Sequence, residues 1–248
     1  MTSKPDDKLQ QLVGRLQYAC GDDLISVVLY GSAARDDFHE HYSDVNLLIV
    51  LRHMQPSIYP ALAGVLAWWS HEQKLRPPTI MTLEELRESA DVFAIEMLDI
   101  QATHKTLYGE DVLAGIVVPM NLHRVEVEHD LRTTLLRLRN HLLLTNDGDD
   151  ELKLVMAKSV TSVLTLFRHA LIALGENPPY AKPKVLEHAA EVFGFKVQPL
   201  HTVLELRSDG HAVDNVRGLY HAYMDAILAV AHGLDVKAPK KQWHKHAP

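Results

Sequence analysis

Two strand-like apolar runs flank a short polar segment near the start of this 248-residue chain. The first, Ile25 to Tyr30, is β-branched and aliphatic and stops at Gly31-Ser32. The second opens as Ser43-Asp44-Val45-Asn46 and continues through Leu47 to Leu51. Apolar runs of this length suit strands buried on both faces, so the stretch predicts two core strands of one sheet. Gly31-Ser32 followed by Ala33-Ala34-Arg35 suits a strand-to-helix turn. In such a turn the backbone approaches a ligand closely, and free amides at the helix start hold an anion. Alternate residues of a strand share a face, so Asp44 and Asn46 project together while Val45 and Leu47 point the other way. A carboxylate and an amide oxygen two residues apart are hard-oxygen ligands of the kind magnesium accepts. An anion cradle beside a cation site is what a nucleoside triphosphate with its metal requires. Taken singly, the same residues have plainer roles, Gly-Ser as a turn and Asp44 as a cap at strand entry.

The rest of the first domain reads as elements covering that sheet. Residues 6–20 place Leu9, Leu12, Val13 and Leu16 at helical spacing, with Gly21 as a stop. Ala33 to Phe38 is a short helix or turn, and His39 and His41 fall in the loop before the second strand, read as solvated, with phosphate or metal contact as the alternative. Residues 57–73 form a helix with Tyr59, Leu62, Val65 and Trp69 on its apolar face. Trp68 and Trp69 are read as core, with stacking on a nucleobase as the alternative. Arg76 to Met81 is a short extended segment, the third strand. Thr82-Leu83-Glu84-Glu85 is a capping box opening a helix through Ala90. Residues 93–100 lead to a loop, Leu107 to Asp111, that closes the domain, and Val117-Val118-Pro119 is the linker.

From Leu122 onward the pattern is helical. Leu131, Leu135, Leu138 and Leu142 form one stripe, and Val160, Val163, Leu164, Phe167, Leu171 and Leu174 another. Shorter helices follow near 182–192 and 199–207, then a long one near 212–232 ended by Gly233. Helices joined by short loops make an antiparallel bundle. The fold class is therefore α+β, a small mixed sheet flanked by helices (residues 1–118) followed by an all-α bundle (119–236) and a basic, disordered tail (237–248).

Gly31-Ser32, eleven intervening residues, then Asp44-Val45-Asn46, within Tyr-Gly-Ser-x-x-Arg and Ser-Asp, resembles the signature of the nucleotidyltransferase superfamily, the DNA polymerase beta-like fold. Among its members the chain is most similar to the kanamycin nucleotidyltransferase type, a small catalytic domain followed by a helical one. The resemblance implies a magnesium-assisted transfer of a nucleoside monophosphate from an NTP to a hydroxyl of a small molecule or protein. It implies Gly31 and Ser32 at the triphosphate with Arg35 as a helper, Asp44 as principal metal ligand, and Asn46 at the second ligand position. The family motif is acidic there, and asparagine offers an oxygen without the charge. The family's third strand also supplies a carboxylate, and the best register puts Thr79, with Met81 two residues on, near that position; neither is acidic. Glu84, Glu96 and Asp99 are the acids to weigh as replacements, although Glu84 and Glu85 are explained by the N-terminal field of their own helix. An acidic base from the helical domain is also implied, with Asp130 or Glu128 the candidate. A catalytically degenerate member, binding nucleotide or a partner protein without transfer, is the alternative.

Composition narrows the partners. The net charge is −7, with a pI near 6.1. No basic field draws the chain to nucleic acid or to an anionic membrane, so neither is an expected partner. Cys20 is the one cysteine, which fits a reducing cytoplasm and an inert buried thiol. No apolar run reaches bilayer-spanning length and the N-terminus has no secretory core. Sixteen histidines form no His-Glu-x-x-His or Cys/His pattern, so they read as surface or packing residues.

Overall fold

The computed structural model describes residues 5–34, 45–144, 148–206 and 213–237. The chain divides into two compact units, Met1–Pro119 and Met120–Pro248. The first is built on a four-stranded sheet in the order β3-β2-β1-β4. Strand β1 (Leu24–Tyr30) pairs antiparallel with β2 (Asn46–Leu51) on one side and with β4 (His104–Gly109) on the other, and β2 pairs parallel with β3 (Thr79–Thr82).

Both central strands are covered on both faces. Val27, Leu29, Leu47, Ile49 and Leu51 pack with Leu12 and Leu16 of helix α1 (Pro5–Cys20) and with Leu62 and Val65 of α2 (Tyr59–Ala67). Val28, Leu48 and Val50 face the opposite core with Leu86 of α3 (Leu83–Glu88) and Met97 and Ile100 of α4 (Ala94–Ala102). A strand lined by helices on both sides has no polar face, which is why the two runs read as unbroken hydrophobic stretches. Cys20 is buried. Desolvation first, and the Asp23 charge second, raise its thiol pKa, so the sulfur stays protonated and inert.

The capping box forms as the sequence predicts: the Glu85 N–H donates to Thr82 Oγ1 (3.1 Å) and the Thr82 N–H to Glu85 Oε2 (2.7 Å). Other elements differ from expectation. The helix over 57–73 starts as a 3₁₀ turn and ends in a π-helical turn, Trp68–Glu72. Trp68 and Trp69 are both buried, and the Trp69 indole N–H donates to Arg76 O at 2.8 Å. Both are core residues, whereas Tyr59 is half exposed. The expected loop at Leu107 is instead part of edge strand β4. The β1 pairing steps from Tyr108 opposite Val27 to Thr106 opposite Val28, leaving Leu107 as the extra residue of a bulge. A bulge breaks the two-residue alternation by which a strand is recognised.

The second unit contains α5 (Met120–Leu144), α6 (Asp149–Ala173), α7 (Lys182–Phe193), α8 (Gln198–Glu205) and α9 (Val216–Lys237). Helices α5, α6 and α9 pack on one another, with α7 and α8 against α6 and α9. The buried Tyr220 O–H donates to Leu138 O at 2.9 Å, and the Tyr223 hydroxyl lies 3.0 Å from Ser159 Oγ. Helix α6 is long and apolar enough to meet a membrane-span criterion, but 56% of that window is buried inside the fold. Its apolar side chains, from Leu152 to Leu171, supply the bundle core. Gly233 does not end α9, which runs on to Lys237. A Cβ on Gly233 would lie 2.4 Å from Phe193 Cδ1, so the glycine lets the end of α7 approach closely. The remainder of the expected tail, 238–248, lies outside the described residues.

Candidate functional site

Three strands meet at Tyr30. It pairs with Asn46 of β2 and with His104 of β4, so the three residues form a row across the sheet on the face that carries Val28 and Leu48. Directly after Tyr30 the chain enters a 3₁₀ turn, Gly31–Ala34. Gly31 takes a φ of +76°, a left-handed conformation that favours glycine. Its N–H donates to Thr103 O at 3.1 Å, which ties the turn to the corner between α4 and β4. A Cβ on Gly31 would lie 3.1 Å from Asn46 Nδ2, so the Asn46 amide stands over the glycine. The turn is thus fixed by a backbone bond from one side and by the Asn46 side chain from the other.

The α4–β4 corner is itself braced. Thr103 Oγ1 donates to Asp99 O at 3.0 Å. His104 Nδ1 lies 3.0 Å from Gln101 O, and its Nε2 lies 3.2 Å from Asp111 Oδ1, which also accepts the Leu113 N–H. Both ring nitrogens of His104 face oxygen acceptors, so its hydrogen bonding is spent on this corner. Nothing in the sequence marks Thr103 or His104, because the contact to the turn is made by a backbone carbonyl.

Of the residues that the sequence singled out, Gly31 and Asn46 are brought together here. The backbone of Ser32 lies in the turn; Arg35 and Asp44 lie outside the described residues, as do His39 and His41. Strands β2 and β3 run parallel with Leu48 beside Thr79 and Leu51 beside Thr82. That pairing sets Thr79, the first residue of β3, two places beyond Asn46 along the sheet. Glu84 follows Thr82 at the opposite end of the sheet, remote in register from Asn46, and Glu85 is engaged in its cap. Glu96 is exposed on the first turn of α4. Among the described residues no group of three or more His, Cys, Asp or Glu side chains converges as a metal site. Asn46 offers an amide oxygen and no negative charge to a magnesium ion.

In the second unit, Glu128 accepts from Arg124 Nη2 at 3.1 Å and from Arg132 Nε at 2.8 Å. Both of its carboxylate oxygens are engaged by these arginines. Asp130 is half exposed, with Oδ1 3.0 Å from His129 Nδ1, and is the less encumbered of the two.

The order of elements and the Gly31–Asn46 corner agree with the family match. Residues 9–100 match the sequence model of the nucleotidyltransferase domain family. The first unit carries this nucleotidyltransferase-domain match. Among solved structures, the crystal structure of spectinomycin adenyltransferase AAD(9) from Enterococcus faecialis with ATP and spectinomycin is similar, with a TM-score of 0.56 and 15% identity. The match covers 92% of this chain and 99% of that one. At that identity the likeness is one of fold, and it reaches through the helical unit that follows the matched region. No curated protein matches the sequence.

Proposed function

We propose that the protein binds a nucleoside triphosphate at the Gly31–Asn46 corner and transfers its nucleoside monophosphate to a hydroxyl of a small molecule. The observation that carries this reading is the corner itself, a left-handed glycine turn at the end of β1 with Asn46 of the next strand standing over it. Its place within the region that matches the nucleotidyltransferase domain family gives the turn its reading as a triphosphate cradle. The fold shared with an adenyltransferase solved with ATP and spectinomycin supports ATP as donor and a small molecule as acceptor. In the reaction the acceptor oxygen attacks the α-phosphorus, a new P–O bond forms, the α–β bond breaks and pyrophosphate leaves. The acceptor proton passes to a general base, the role that the family resemblance gives to Asp130. Gly31, Ser32 and Arg35 orient the phosphates, and Asp44 is the acid of the motif available to a divalent ion.

Binding without transfer is the second reading, and one observation favours it: Asn46 stands where the family motif carries an acid. Titration of a nonhydrolysable ATP analogue, with and without magnesium, on the wild type and Asp44→Ala separates the two when paired with release of pyrophosphate from ATP over an acceptor panel. Pyrophosphate release that needs magnesium and that Asp44→Ala abolishes supports transfer. Binding indifferent to both, with no release, supports the second reading. No nucleotide binding at all overturns both.

A further inference from the structure

We propose that Asn46 donates hydrogen bonds to the nucleotide phosphates rather than holding a metal, so that this corner binds a nucleotide with little help from a divalent ion. The inference rests on the Gly31–Asn46 corner being the nucleotide site. The Asn46 Nδ2 side of the amide, not a carboxylate, is what lies over Gly31. The Asn46 side chain makes no hydrogen bond among the described residues and is only half-buried, so its two N–H groups are available to a ligand. Its backbone belongs to the β1–β2 pairing, which fixes where the amide stands.

The charge balance of the row agrees with a donor role. Across the sheet at this level stand Tyr30, Asn46 and His104. None of these is a carboxylate. An acid at 46 sets a negative charge beside a polyanion and requires a cation between the two. The amide removes that repulsion and adds donors. A charge-assisted bond from a neutral N–H to a phosphate oxygen is stronger than one between neutral groups.

The test is calorimetric titration of ATP in EDTA and in excess magnesium on the wild type, Asn46→Asp and Asn46→Leu, with thermal melting of each variant as a check of folding. The wild type is expected to bind with affinities that differ by no more than about threefold between the two buffers. Asn46→Asp weakens binding in EDTA by about tenfold or more and recovers most of it in magnesium. Aspartate presents oxygen on both sides whichever way it turns, so the result does not depend on how the amide is oriented. Asn46→Leu, which loses the donors without adding charge, weakens binding in both buffers alike. A purely structural role for Asn46 shifts melting without changing the magnesium dependence. Asn46→Asp binding as well as the wild type in EDTA overturns the donor role while leaving the nucleotide site standing. A wild type that binds only in magnesium, with Asn46→Asp binding tighter there, overturns it in favour of a metal ligand. A wild type that binds ATP in neither buffer overturns the nucleotide-site reading and this inference with it.

Discussion

Gly31 carries two constraints at once. Its φ of +76° penalises any side chain, and a Cβ would press to 3.1 Å from Asn46 Nδ2. Gly31→Ala is therefore expected to cost about 1–2 kcal/mol of stability, read as a lower urea midpoint at unchanged slope. It should also weaken ATP binding, because relief of the contact pushes the Asn46 amide aside. An alanine variant with wild-type midpoint and affinity would show that the turn is free to rearrange. The glycine was legible in the sequence, since a β-branched run that stops at Gly-Ser announces a turn. Its second constraint was not, because the residue that crowds it is fifteen positions away and arrives only through strand pairing.

Elements show the same division. Helix α1, strands β1 and β2 and the capping box at Thr82 follow from periodicity and local chemistry, which neighbours in sequence decide. Strand β4 does not, because its bulge at Leu107 spoils the alternation and its partner is β1, some eighty residues earlier. Gly233 is the sharpest case. As a residue type it reads as a helix stop, yet α9 passes through it because Phe193 of α7 occupies the space a Cβ would need. Gly233→Ala gains about 1 kcal/mol of helix propensity and loses about 1–3 kcal/mol to overpacking against the ring. The expected result is net destabilisation, seen as a lower melting temperature, and Phe193→Leu in the same chain should relieve it. A stabilised single variant would mean that the ring turns away at little cost.

At the scale of the molecule, the helical unit has a built-in alkaline limit. Burial pushes the Tyr220 hydroxyl up to about 12. Tyr223 is raised as well, by burial first and by the neighbouring Tyr220 second, against the Ser159 hydrogen bond that lowers it. A raised tyrosine keeps its proton in the folded state after the unfolded chain has released it. Its contribution is thus complete below about pH 10 and is lost as pH climbs through the folded value. Stability should fall by at least about 1–2 kcal/mol between roughly pH 10 and 12, and Tyr220→Phe should soften that loss; helical circular dichroism during urea titration at stepped pH measures it. A wild-type curve flat across that window would mean the hydroxyls reach water. By itself the sequence determined the two core strands, the glycine turn between them and the helical second half, because hydrophobic period and turn chemistry act over a few residues. Tertiary structure alone decided that Asn46 stands over Gly31 and that Thr103 anchors the turn. Strand register brings those groups together from distant parts of the chain, and no local pattern encodes register.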